Sequence, residues 1–336
     1  MQSKLLNICT LFLCFFSVST IEVSTVEELH KALDKARAGQ TIEIRPGVYD
    51  FSTYERRNSF SLSADGEELS PITLTAQNPY NPPILTGPNL KDGYILNIVG
   101  NYWVLNNIKI VYGGKGIVLE NASYNIIKNV EIFSIGAQGI LIRDGSSHNL
   151  VQNCYIHNTG IYDGHYGLYG EGIEIGNPIE HSRYNFKNDY NIIEGCIFRH
   201  TSCEHINIRE YNTGNEVFKN AFYGDGMNGR NEANCFISIS GNENYIHDNV
   251  GYRNDNKNIV AAFKVKKSVD ESGERNKFMN NVLYMNRPYG EIDTAIRIYI
   301  VDGGYSKFSV KNNKIDYGDG LLDGDDERYY NFTEIE

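Results

Sequence analysis

The chain has 336 residues, 42 acidic and 31 basic, for a formal net charge of −11, and 41% of it is hydrophobic. That is enough apolar material to bury the core of one large domain or two small ones. The acid excess argues against a nucleic-acid partner, and beyond the first twenty residues no run is apolar enough to span a bilayer.

The opening segment, MQSKLLNICTLFLCFFSVST, places Lys4 before an apolar run over residues 5–18 and small residues at Ser17 and Ser19. This is the order of a secretory signal, expected to occupy residues 1–19 and to be removed near Ser19. An uncleaved anchor is the alternative, and the run is short for one. The mature protein is therefore expected to be extracellular, monomeric and free of the membrane. Cys9 and Cys14 leave with the signal, and Cys154, Cys196, Cys203 and Cys235 remain where disulfides persist. They lack the close CxxC spacing of a zinc site, and either disulfides or stacked core positions would account for them. The sequons at Asn121 and Asn331 are candidate glycosylation sites.

A helix is expected over residues 25–38. Thr25 and Glu28 have capping-box spacing, Val26, Leu29 and Leu33 share a face, and Gly39 stops the helix before a strand over residues 41–44. Then a repeat sets in. An Asn-x-x-apolar pattern recurs at Asn107, Asn129, Asn153, Asn220, Asn249, Asn281 and Asn312, with Gly195 taking one turn, in steps of 22 to 42 residues. In phase with it run short alternating segments: GIVLE, GILIR, GIEIG, HINIR, FISIS, AFKVK and AIRIY. Period-two alternation predicts strands. With no helical stretch between them, they predict an all-β chain wound as a right-handed parallel β-helix over residues 20–315, with the helix as its N-terminal cap. Coils this short leave no room for crossover helices, which disfavours other α/β parallel-sheet folds. Asn at the corners tolerates left-handed backbone and can bond to the Asn of the next coil. The acidic residues 316–336 are expected to be a loose tail or the second cap.

The helix, the stretch AGQTIEIRPGVY and the Asn-laddered coils resemble secreted pectin-lyase-like β-helix proteins, including pectate lyases and the chondroitinase B and alginate lyase group. The likeness covers about residues 24–315 and implies the fold. The fold hosts lyases, hydrolases, epimerases and binding proteins, so function must come from the site.

Successive outward residues of a β-helix lie about 4.8 Å apart. One outward file reads Val118, Leu141, Glu174, Asn207, Ser238, Lys264 and Arg297, and the next reads Glu120, Arg143, Gly176, Arg209, Ser240, Lys266 and Tyr299. With His205, these put Asn207, Arg209, Lys264, Lys266 and Arg297 on one expected face, basic within an acidic chain. Like charges so close repel unless an anion lies across them, and an extended acidic polysaccharide fits. Solvated charge that merely discourages edge pairing is the plainer reading.

A uronate polymer suggests β-elimination, which needs a base for the proton α to the carboxylate and a positive group or metal to neutralise that carboxylate. Lys264, flanked by Lys266 and Arg297, is the expected base, with Arg209 and Arg297 on the carboxylate. Lys266, His205, Asn207, Tyr166 and Tyr169 are expected to bind substrate, the tyrosines from the insertion over residues 159–172, where Tyr162 and His165 also lie. The resemblance implies Lys or Arg bases and commonly calcium, and AFKV at Lys264 looks like the lysine-bearing strand of one pectate lyase group. Glu174 is the acid in the outward files expected to carry calcium, with Asp163 and Glu171 nearby in sequence. No dinucleotide or phosphate-loop fingerprint calls for an organic cofactor. Two alternatives stay open. A secreted glycan-binding or surface-coat β-helix would hold the polymer without turnover. A glycoside hydrolase would need a pair of Asp carboxylates that the strand face lacks.

Overall fold

The computed structural model describes residues 19–53, 58–162, 169–177, 187–228, 234–267, 272–286, 296–301, 309–316, 321–323 and 330–335. Three sheets of eleven, ten and eleven strands run the length of the chain. Consecutive strands pass from sheet to sheet, and up to residue 316 each strand pairs in parallel with its counterpart one coil away, as Ile117 does with Ile140 and Ile140 with Ile173. The fold is the right-handed parallel β-helix expected from the repeat. Among the described residues no helix is long and apolar enough to cross a membrane.

The core is a stack of apolar files. Along one sheet Ile42, Leu74, Leu105, Ile127, Val151 and Ile193 succeed one another in register, all fully buried. At the N-terminal end the helix Val26–Asp34 covers the open coil. The Thr25 hydroxyl accepts from the Glu28 amide at 3.1 Å, and the Glu28 carboxylate accepts from the Ser24 amide at 2.8 Å. Leu29 and Leu33 are buried beneath the helix, and His30 stacks on Phe60 at 4.9 Å. At the other end, strands continue past residue 315. Leu321–Asp323 pairs antiparallel with Lys314–Asp316, and Tyr330–Ile335 adds in parallel to Ile296–Val301.

The Asn repeat resolves into two adjacent columns that the sequence pattern had merged. The first is a corner in left-handed backbone, with φ of 53° at Asn107, 54° at Asn129, 52° at Asn153 and 58° at Asn312. Gly195, Lys219 and Asp248 hold the same corner in other coils. The second column, one residue later, is the amide ladder Asn220, Asn249, Asn281 and Asn313, all buried. The Oδ1 atoms of Asn249, Asn281 and Asn313 each accept from the side-chain and backbone N–H of the Asn one coil before, at 2.9–3.1 Å. A second ladder at another corner runs Asn125, Asn149, Asn191, Asn215, Asn244 and Asn276.

In this register Val130, Cys154 and Cys196 stack on one another in the ladder column, one position before the column of Ala221, Val250 and Val282, and the Cys196 amide donates to Asn220 Oδ1 at 2.8 Å. The four described cysteines are buried.

Candidate functional site in the groove of the ten-stranded sheet

On the ten-stranded sheet, one file reads Asn97, Val118, Leu141, Glu174, Asn207, Ser238, Lys264 and Arg297 in continuous register. Lys264 stands in the strand Phe263–Lys267 with only 3% of its surface exposed, and its Nζ donates to Asn234 Oδ1 at 3.1 Å. Its register neighbours are Ser238 on one side and Arg297 on the other. Asn207 and Lys266 are half-buried on the same sheet. Arg209 follows the strand Ile206–Ile208 and gives its Nε to Glu174 Oε1. That carboxylate, itself buried, also accepts from Gln138 Nε2 at 2.7 Å. The burial of Arg209 works against its charge, but Glu174 more than offsets this and keeps the guanidinium firmly protonated.

His205 departs from its expected place on this face. The strand begins at Ile206, and residue 205 sits at the preceding corner with its side chain turned inward. The ring is fully buried 5.7–5.8 Å from those of Phe198, Phe222 and Phe236. Nδ1 lies 2.9 Å from the Thr201 hydroxyl, and Nε2 is 3.0 Å from the Tyr223 carbonyl oxygen. Burial pushes its pKa down to about 3, so it is a neutral core imidazole rather than a substrate contact. Tyr169 does reach the groove, with its ring 5.9 Å from Lys115 Nζ. Tyr166, with Asp163 and His165, lies outside the described residues, as does the side chain of Arg297.

Sequence reasoning missed a third file. Three positions before the central one, the register brings Tyr94, Lys115, Gln138, Glu171 and Glu204 to one edge of the groove. Glu171 and Glu204 are 3% and 6% exposed, and with Cys203 they bring possible ligand atoms within 4.8 Å of one another. Burial, then Glu174 and Glu204, raise the pKa of Glu171 to about 8. Burial also raises that of Glu204, although Lys266, Lys264 and Arg209 oppose it. The Cys203 thiol is pushed up by burial and by the same carboxylates. A signal was available: EGIEI and EHINI each carry a Glu two residues ahead of the strand, where a reading confined to alternating positions passes over it.

The expected calcium ligand is otherwise engaged, since Glu174 bonds with both oxygens to Arg209 and Gln138. The remaining donor set is two carboxylates and a thiol. Calcium takes about 6–8 oxygens and a thiol suits softer ions, so this cluster is a poor match for calcium.

A long parallel coil with a charged groove along one sheet defines a β-helix protein built to face an extended ligand. The family described as Pel9A-like, right handed beta helix region, matches residues 18–170. An alginate lyase from Paenibacillus sp. str. FPU-7 is 32% identical over 95% of this chain and 99% of its own, with a TM-score of 0.82. Pectate lyase Pel9A, 16% identical over 88% of this chain and 78% of its own, with a TM-score of 0.60, shares the fold. So does a rhamnogalacturonan lyase, 15% identical over 82% of this chain and 80% of its own, with a TM-score of 0.58. No curated protein matches. The chain belongs to the family of right-handed β-helix polysaccharide lyases represented by that alginate lyase.

Proposed function

We propose that the protein is a secreted lyase that cleaves an acidic polyuronate by β-elimination, with an alginate-type polymer as the first substrate and pectate as the second. The observation that carries this reading is Lys264, a lysine almost wholly withdrawn from solvent yet set in the outward file of the groove. Its likeness to an alginate lyase supports alginate ahead of pectate.

In this mechanism Lys264 Nζ removes the proton from C5 of a uronate. The electron pair passes into the C4–C5 bond, the C4–O bond to the neighbouring sugar breaks, and the departing oxygen takes up a proton. Lys266 and Arg297 neutralise the carboxylate while charge develops on it. Arg209 contributes through its pair with Glu174, holding the groove wall beneath the sugar. No step runs through a metal.

The test is a panel of alginate, pectate, glucuronan and chondroitin, each with and without added calcium. Elimination creates an unsaturated uronate with a new ultraviolet absorbance. New reducing ends without that absorbance would instead mean hydrolysis, and binding without either would mean a glycan-binding protein.

A further inference from the structure

Lys115 is a second lysine in the same groove, half-buried and far from the first. It opens the strand Lys115–Glu120, five strands away from Phe263–Lys267 in the sheet order. At about 4.8 Å per strand the two lie about 24 Å apart along the groove. Lys115 Nζ is 6.0 Å from the ring centroid of Tyr94 and 5.9 Å from that of Tyr169, and among the described residues it makes no hydrogen bond or ion pair. Burial and then the nearby Arg143 depress its pKa, while Glu174 and Glu171 act in the opposite direction. Arg143 differs, because its guanidinium is paired with Glu120 and donates to the Tyr94 hydroxyl at 2.7 Å.

Tyr94 also forms part of a cavity of about 740 Å³, within the usual range of small-molecule sites. Phe51 offers a second ring there, and Asn58, Asp92 and Asn97 supply polar groups. Asn97 Oδ1 is buried, with no hydrogen-bond partner among the described residues. Asn97 belongs to the same outward file as Lys264, so the cavity lies along the line a bound polymer would follow.

We propose that Lys115 and this cavity form a distal sugar subsite, which takes a uronate of the same polymer whose cleaved bond lies at Lys264. The sugar ring sits against Tyr94 and Phe51, a hydroxyl meets Asn97 Oδ1, and the carboxylate pairs with Lys115. Because a 1,4-linked pyranose repeat is comparable to the strand spacing, one chain reaches both lysines only when it is several sugars long. The inference rests on the polyuronate reading above.

The experiment compares a trisaccharide and an octasaccharide of the uronate that the wild type binds, by calorimetric affinity and by kcat/KM. Wild type should favour the octasaccharide. Lys115→Gln should weaken the octasaccharide about tenfold, the scale of one charge-assisted bond, and leave the trisaccharide unchanged. Lys115→Arg should keep the preference, and Asn97→Leu should lose part of it. Unchanged trisaccharide turnover also certifies the fold of each variant. Equal losses on both lengths, no loss on either, or a wild type indifferent to length would overturn the subsite. If the wild type binds polyuronates without cleaving them, the lyase reading falls, while the affinity comparison still decides the subsite.

Discussion

The buried corner ladders and the charged groove are built by the same rule, one coil stacked on another at one strand spacing, yet they have opposite electrostatic outcomes. In the ladder, like stacks on like: Asn249 accepts from Asn220 and donates to Asn281. An amide is both donor and acceptor, so repetition satisfies it. In the groove, repetition would be costly because neighbouring charges of one sign repel, and the files there are mixed: Glu174 beside Asn207, Ser238 beside Lys264. Two acids, Glu171 and Glu204, do stack, and both are pushed toward the neutral form. Stacking like on like thus satisfies the amides of the ladder but costs stability where the stacked groups carry charge of one sign.

The sharpest way to test this contrast is Lys264→Ala, which should lower turnover about 10²–10⁴-fold, the range of a general base, while glycan affinity is largely kept. Steady-state kinetics alongside calorimetric binding checks it. A loss of affinity alone would make Lys264 a binding residue and overturn its assignment as the base. His205 offers no replacement, being sealed among three phenylalanines.

The complementary change is Asn249→Ala in the ladder. It removes the acceptor of the Asn220 backbone and side-chain N–H groups and one of the two bonds to Asn281 Oδ1, the backbone N–H of residue 249 keeping the other. It should cost about 1–3 kcal/mol, read by denaturant unfolding, with kcat unaltered. A loss of activity without a loss of stability would mean that the corner and the groove are not separable.

Two further variants test the buried titratable groups by pH, with opposite signs. The Glu171 pKa is raised to about 8 in the fold, so the folded state holds a proton that the unfolded state releases above about 4.5. Its contribution to stability is full below that value and is lost as pH rises toward about 8. Glu171→Gln should flatten the decline in thermal midpoint across that window. The His205 pKa is lowered to about 3, so its contribution is present above about 6.5 and lost as pH falls toward 3. His205→Phe should be less stable than wild type near neutrality, where the Thr201 and Tyr223 contacts are lost, and the gap should narrow on acidification. This is the smallest effect expected, and identical acid profiles for the two proteins would rule out a buried neutral imidazole.

The sequence by itself determined the coil and part of the groove. Period-two segments spaced a few tens of residues apart leave a parallel β-helix as the economical way to pair every strand, and alternation alone is enough to put Glu174, Asn207, Lys264 and Arg297 on one file. Alternation holds only within a strand, however, and several informative residues stand at its ends. There the chain turns through left-handed corners, such as Asn107 and Asn153, and the direction of a side chain is set by the backbone bend and its packing. That is why His205 points into the core, why Cys196 stacks on Asn220, and why Lys115, Glu171 and Glu204 share an edge that no count along the sequence had joined. Their proximity depends on the register of whole coils, some of them lengthened by insertions. Only the folded stack, in which a file runs across strands rather than along them, decides which charges meet.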